Sequence, residues 1–189
     1  MTARHQTVIL HGTKGSPVIN WFPWLKGELE ACGHEVFVPR LPTPEGQDRE
    51  GWCTALREQA PIFGRNTTLI GHSCGATFLL HILEAVREPV AMTVFVSPVT
   101  ADVGHPEYDV LNRTFVHHAF DWEKIRRNAG QAHILHGDND PYVPLAQAEF
   151  LARSMGVPVE LVTGGGHLNA ESGYTAFPRL RNLVCGGSE

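Results

Sequence analysis

Six short apolar runs are spaced along the 189-residue chain, and glycine, proline or polar residues separate them. Runs of this length, without strict alternation of polar and apolar positions, are typical of strands buried on both faces of a parallel sheet. We predict strands at residues 7–10, 35–38, 67–70, 92–96, 132–136 and 157–162.

Apolar residues between these runs recur at three- and four-residue intervals, which is the period of an amphipathic helix. Such faces cover residues 21–32, 52–56, 78–86, 122–128, 145–155 and 177–184. The helix marked by residues 52–56 is expected to end near Gly64. Asp121 is placed to cap the helix at 122–128, and Gly156 is placed to end the helix at 145–155.

The alternation of strands and helices predicts an α/β fold, with about six mostly parallel strands and helices on both faces of the sheet. A chain of 189 residues suits a single domain, residues 1–189. Residues 97–120 have the least regular pattern. Because they follow the carboxyl end of a strand, we expect them to form a pocket wall or a small lid.

Composition indicates a soluble globular protein, since 42% of the residues are hydrophobic and 19% are charged. The net charge of −5 gives no basic surface typical of nucleic-acid binding. No apolar stretch is long enough to span a membrane, and residues 8–10 are too short for the core of a signal peptide. We therefore expect no nucleic-acid or membrane partner and a cytoplasmic location.

The four cysteines, at positions 32, 53, 74 and 185, are widely spaced and form no Cys-x-x-Cys pair. This spacing argues against a zinc site and gives no disulfide framework. We expect reduced thiols.

The stretch Gly71–Gly75 reads Gly-His-Ser-Cys-Gly and joins the third predicted strand to a helix. In that context the pattern is typical of a nucleophile elbow, where a strained turn exposes a serine hydroxyl. Side chains at Gly71 and Gly75 would clash where the strand and the helix approach each other. The helix that begins near Ser73 directs free N–H groups at the serine, so we predict that the N–H of Cys74 donates to a developing oxyanion.

Residues 11–15 read His-Gly-Thr-Lys-Gly and follow the first strand. If that strand neighbours the elbow strand, this loop lies over Ser73 at the carboxyl edge of the sheet, where open α/β sheets bind ligands. The backbone N–H of Thr13 is then the second predicted oxyanion donor. The alternative is a plain glycine turn.

A serine nucleophile needs a histidine base, and the base needs an orienting acid. Asp138 and Asp140 follow the fifth strand, and His167 follows the sixth after three glycines. The order Ser, Asp, His is that of the α/β-hydrolase triad. From spacing alone the choice between the two aspartates is nearly even, because Asp138 follows Gly137 and could instead stabilise the turn.

Three further residues, Trp21, Trp24 and His72, are candidates for the pocket. Aromatic residues at helical spacing are more often core than substrate contacts, although Trp21 is close enough to the oxyanion loop to do both. His72 is expected to pack or to form a hydrogen bond. His133 and His136 lie three residues apart on a strand and face opposite ways, so they cannot share a metal. We expect no metal and no other cofactor.

Several segments resemble the family of small serine hydrolases that includes retinoblastoma-binding protein 9 and the bacterial YdeN-like proteins. The resemblance covers most of the chain and is carried by residues 21–29, 71–75 and 120–125, by Asp140–Pro141 and by Gly166–His167. It implies an α/β-hydrolase fold with a minimal cap or none. Residues 11–15 differ from the glycine-rich oxyanion loop of the mammalian member.

Residues 140–144 read Asp-Pro-Tyr-Val-Pro and look like the acid-loop motif Asp-x-x-Val-Pro of α/β-hydrolases, whose first residue is the acid. The resemblance therefore favours Asp140 over Asp138 and implies a triad of Ser73, Asp140 and His167.

These residues together predict a cofactor-independent serine hydrolase that cleaves a small-molecule carboxylic ester or amide through an acyl-enzyme on Ser73. The alternative is a catalytically weak protein-interaction module that keeps the hydrolase fold, because fold alone does not settle function and the family includes a protein named for binding a partner. A lyase or haloperoxidase on the same fold is a smaller third option.

Overall fold

The computed structural model describes residues 4–186, in which six strands form one sheet. The strands are β1 (Gln6–Leu10), β2 (Glu35–Phe37), β3 (Thr67–His72), β4 (Met92–Val96), β5 (Gln131–Gly137) and β6 (Val159–Val162). Their order is β2-β1-β3-β4-β5-β6, and every neighbouring pair is parallel. β1 neighbours the elbow strand β3. This was the condition for the loop at residues 11–15 to lie over Ser73.

Helices cover both faces of this sheet, which confirms the predicted fold class. They are α1 (Phe22–Ala31), α2 (Arg49–Gln59), α3 (Cys74–Ala85), α4 (Pro106–Val116), α5 (Trp122–Asn128), α6 (Leu145–Met155) and α7 (Pro178–Cys185), with a 3₁₀ turn at Ala170–Ser172. Among residues 4–186, no helix combines the length and apolarity needed to cross a lipid bilayer.

The two faces carry separate hydrophobic cores. Helices α2 to α6 bury residues such as Trp52, Phe78 and Phe115 against one face. Helices α1 and α7 bury a smaller set around Trp21 and Leu180 against the other. Strand residues alternate between the two cores, as the two-residue period of a strand requires.

Two predicted boundaries shift because of proline. β6 begins at Val159 rather than at residue 157, since Pro158 has no N–H to donate to the sheet. α2 ends at Gln59, before Gly64, because Ala60 precedes Pro61 and takes an extended conformation. The predicted cap is present: the side chain of Asp121 accepts from the N–H of Lys124 at 3.0 Å.

The segment at 97–120 is more regular than the sequence analysis expected, because it contains α4. Pro106 occupies the first turn of this helix, where a missing N–H has no cost. Phe115 on α4 is fully buried against Trp52, with ring centroids 4.5 Å apart. The helix forms part of a pocket wall, which is the role predicted for the segment.

The expectation of reduced thiols is wrong for two of the four cysteines. Cys32 and Cys185 form a disulfide with a Cα–Cα distance of 6.4 Å, whereas Cys53 and Cys74 are free. The pair joins the ends of α1 and α7, which lie side by side on the smaller core. Since 153 residues separate these cysteines along the chain, their spacing carries no signal of the pairing.

Candidate active site

Ser73 lies at the sharp turn between β3 and α3 that the sequence predicts. Its φ of 58° is in the left-handed region, where a serine is strained. The close approach explains both glycines: a Cβ at Gly71 would lie 2.5 Å from the carbonyl oxygen of Gly75, and one at Gly75 would lie 2.5 Å from that of His11. The Ser73 hydroxyl has no hydrogen-bond partner among residues 4–186.

The structure brings Asp140, and not Asp138, to His167. Nδ1 of His167 lies 2.7 Å from Oδ2 of Asp140, and the Asp140 side chain is only 1% exposed. The other carboxylate oxygen of Asp140 accepts backbone N–H groups of Tyr142 and Val143 at 2.9 and 3.0 Å. Asp138 instead accepts the N–H of Gly164 at 2.8 Å, so it ties the loop after β5 to the loop after β6.

The charge of Asp140 is set by opposing effects. Burial favours the neutral acid and raises its pKa. The hydrogen bonds from His167 and from the two backbone N–H groups favour the carboxylate, and they hold the pKa below its ordinary value. Asp140 is therefore ionised at neutral pH and fixes the imidazole with its proton on Nδ1.

The backbone of His167 is fixed on both sides. Its carbonyl oxygen accepts from Nε2 of His72 at 2.9 Å and from Oγ of Ser97 at 3.2 Å. Its N–H donates to Oγ of Ser172 at 3.2 Å. One residue further on, the carbonyl oxygen of Leu168 accepts the indole N–H of Trp21 at 2.9 Å. These bonds hold the ring in place at the mouth of the elbow.

Of the three residues predicted to contact the pocket, one lines the cavity and two do not. Trp21 is fully buried and Trp24 packs against the smaller core, so neither lines the cavity beside Ser73. The expectation of pocket contact is wrong for both, because the helical face they occupy turns toward the sheet. His72 does line the cavity, and burial lowers its pKa to about 3. It is therefore a neutral hydrogen-bond donor.

The loop after β1 lies against Ser73. A Cβ at Gly12 would be 2.7 Å from the Cβ of Ser73, so only glycine fits there. The N–H of Gly15 donates to the carbonyl oxygen of Gly12 at 3.0 Å and closes the turn. Within residues 4–186 the backbone N–H groups of Thr13 and Cys74 have no hydrogen-bond partner, as oxyanion donors require.

A network of side chains that the sequence analysis missed holds this loop. Nε2 of Gln47 donates to Oγ1 of Thr13 at 2.7 Å, and the Thr13 hydroxyl donates to Oδ1 of Asn112 on α4. Thr43 accepts the N–H of Lys14 at 2.7 Å and donates to Oε1 of Gln47. Gln47 and Asn112 are 65 residues apart and belong to no motif, so only the fold reveals their connection.

Cys74 has a buried thiol beside Thr13, and burial raises the pKa of that thiol to about 12. It therefore remains protonated and is no competing nucleophile.

A cavity of about 530 Å³ opens in front of Ser73. His167, Thr13 and Asn112 share its walls, and Val99, Val103 and two tyrosines, Tyr108 and Tyr142, line it further out. Lys14 lies at the rim of the cavity, where its Nζ is 2.7 Å from Oε1 of Glu107. Among the described residues, the cavity walls contain no group of three side chains that could together ligate a metal.

Comparison with known proteins agrees with this architecture. YdeN of Bacillus subtilis (strain 168), which is named as a hydrolase, is 29% identical over 181 residues, or 95% of this chain and 94% of YdeN. The serine hydrolase RBBP9 of Rattus norvegicus is 24% identical over 97% of this chain and 96% of its own length. The crystal structure of the ydeN gene product superposes with a TM-score of 0.87 at 27% identity, covering 96% of this chain and 97% of that one.

The fold is that of the α/β hydrolases, and residues 7–185 match the serine hydrolase family. The chain is a member of that family and an enzyme of the hydrolase class.

Proposed function

We propose that this hydrolase cleaves a small carboxylic ester or amide through an acyl-enzyme on Ser73, with His167 as base and Asp140 as orienting acid. One observation carries the proposal. The 2.7 Å hydrogen bond between Asp140 and His167 lies at the cavity that also exposes the strained Ser73. The family membership supports hydrolysis, and this geometry supports the roles of the individual residues.

The proton path follows from the tautomer of His167. Because Nδ1 donates to Asp140, Nε2 is free to accept the proton of the Ser73 hydroxyl. The Ser73 oxygen attacks the acyl carbon, and the N–H groups of Thr13 and Cys74 receive the negative charge that develops on the carbonyl oxygen. His167 then protonates the leaving alcohol or amine. His167 next takes a proton from a water molecule, whose oxygen attacks the acyl carbon. The bond between that carbon and Ser73 Oγ then breaks, His167 returns the proton to the Ser73 oxygen, and the acid is released.

The cavity favours acyl groups of modest size. Its volume of about 530 Å³ is in the middle of the range of small-molecule sites, and it is open to solvent at one side. The walls combine apolar Val99 and Val103 with the tyrosines and charged rim residues. A series of p-nitrophenyl esters of increasing acyl length, with matched anilides, would identify the preferred length and separate ester from amide cleavage.

The decisive experiment is labelling with a fluorophosphonate probe, read by intact mass and by peptide mapping. The wild type should gain one adduct, on Ser73. Ser73→Ala should lose both the adduct and hydrolysis, with kcat falling on the order of 10⁶-fold. His167→Ala should label far more slowly, and Ser16→Ala, a serine outside the cavity, should label as the wild type does.

Folded wild-type protein that takes no label would overturn the proposal. It would favour the alternative that the fold serves as a protein-interaction module. An adduct that persists in Ser73→Ala would place the nucleophile elsewhere.

A further inference from the structure

Three potential metal ligands converge on the larger core, away from the cavity at Ser73. His81 and Glu84 lie three residues apart on α3, so they share one face of the helix. His118 comes from the segment between α4 and α5. One ligand atom from each residue lies within 4.8 Å of the other two. Sequence spacing gave no hint of this group, because His118 is 34 residues beyond Glu84.

His81 is held in the form that a metal requires. Its side chain is buried, and Nε2 lies 2.9 Å from the carbonyl oxygen of Phe115, so Nε2 carries the proton. Nδ1 therefore presents a lone pair, and it has no hydrogen-bond partner among residues 4–186. Burial lowers the pKa of His81 to about 4, which keeps the ring neutral. A backbone carbonyl that orients the non-ligating nitrogen is the usual support of a ligating histidine.

Glu84 and His118 are oriented as well. Oε1 of Glu84 accepts the backbone N–H of Asp121 at 2.6 Å, and Oε2 lies 2.8 Å from Nε2 of His118. The rings of His81, His118 and Phe120 pack against one another, and the centroids of each pair are 4.8 Å apart. A cation can take the place of the proton between Nε2 and Oε2, and His118 then keeps its proton on Nδ1.

We propose that His81, Glu84 and His118 form a binding site for Zn²⁺. Two imidazole nitrogens and one carboxylate oxygen are a common donor set for zinc. His81 and Glu84 line a cleft between α2 and α3, through which an ion can reach them. The site revises our expectation of no metal. Bound zinc joins α3 to the 117–121 segment, so its effect is on stability, and it takes no part in the chemistry at Ser73.

Two arginines that line the cleft, Arg49 and Arg57, oppose the cation. Arg49 lines the same cleft and lies close enough to lower the pKa of His81. Its positive charge weakens zinc binding, so we expect a dissociation constant in the micromolar range. Arg49→Gln should tighten binding several-fold.

The test uses full-length protein freed of metal with a chelator. Calorimetric titration with Zn²⁺ at pH 7 should give one saturable site, and Tm should rise by about 5 °C at a large excess of zinc. Co²⁺ should add visible absorption bands typical of a site with four or five ligands. Glu84→Gln and His118→Gln should each weaken binding at least about tenfold and remove the rise in Tm.

The matched control is His117→Gln, because His117 adjoins His118 but is exposed and contacts Asp102 instead. It should bind zinc as the wild type does. Circular dichroism of each zinc-free variant checks its folding, and labelling of Ser73 should be the same in all of them.

Failure of folded wild-type protein to bind zinc would overturn the proposal, leaving His118 and Glu84 as a hydrogen-bonded pair. Binding that is unchanged in Glu84→Gln and His118→Gln would also overturn it, by locating the metal at another histidine pair such as His5 and His34. If both variants are misfolded, Arg49→Gln decides, because unchanged affinity there contradicts the site.

Discussion

Two loops reach Ser73 from opposite sides of β3, and they are held in different ways. On the side of β5 and β6, the loop that carries His167 is fixed mainly through its backbone, by donors from His72, Ser97 and Trp21. On the side of β1, the loop that carries Thr13 is fixed through side chains, by the amides of Gln47 and Asn112. We call these the base side and the oxyanion side.

The difference reflects how accurately each loop has to position its group beside Ser73. A base must keep one ring nitrogen on the serine, so its loop is tied to the sheet by many short bonds. An oxyanion donor needs only a free N–H at the right point, and a network of neutral side chains can set that point. Disturbing the base side should therefore cost far more activity than disturbing the oxyanion side.

The largest effect is expected from Asp140→Asn on the base side. The amide cannot hold His167 in the same tautomer or stabilise its positive charge, so kcat should fall about 10⁴-fold. Asp138→Asn is the matched control, because the amide oxygen of asparagine can still accept the N–H of Gly164, and kcat should change by less than about threefold. Steady-state ester hydrolysis measures both. Equal losses in the two variants would contradict the assignment of Asp140.

A smaller effect is expected on the oxyanion side from Asn112→Ala. Removing the amide leaves the side chains of Thr13 and Gln47 without a shared partner and lets the loop shift, so kcat should fall about 10- to 100-fold with little change in KM. The free energy of unfolding should also fall by about 1–3 kcal/mol.

Asn128→Ala is the matched control for that variant. Asn128 is equally buried and donates to the carbonyl oxygen of Leu83 at 2.8 Å, far from the cavity. It should lose similar stability and keep its kcat. If Asn112→Ala keeps its kcat too, the network does not position Thr13 for the reaction.

The third effect concerns stability in acid rather than kcat, because each side contains a buried neutral histidine. Burial lowers the pKa of His72 to about 3 and lowers the pKa of His11 as well. The unfolded chain takes up a proton on each histidine below its ordinary pKa of about 6.5, whereas the folded chain does not. The contribution of His72 to stability is therefore full above that pH and falls as the pH drops from 6.5 toward 3, and His11 contributes in the same direction.

His72 should contribute a slope of about 1.4 kcal/mol per pH unit within that window. Urea unfolding at several pH values between 4 and 7 measures the slope. His72→Gln should reduce it, and His11→Gln should reduce it on the other side of Ser73. A slope in His72→Gln that equals the wild-type slope would show that His72 is not held neutral.

The same contrast explains what the sequence could predict. The base side is encoded in short motifs, Gly71–Gly75 and residues 140–144, which led to the elbow and the residues proposed for the triad. The oxyanion side depends on Gln47 and Asn112, which meet only once α4 folds over the cavity. The helix itself escaped notice because Pro106 resembled a loop residue, although proline is favoured in the first turn of a helix.

The disulfide also has a consequence for proteolysis. Because Cys32 is bonded to Cys185, the chain between them is a closed covalent ring. A single cut within the ring, for example beside the exposed Gly104, separates Ser73 from His167 along the chain but leaves both in one molecule. Nicked protein would migrate as one band on a denaturing gel without reductant and would separate into two fragments when reductant is added.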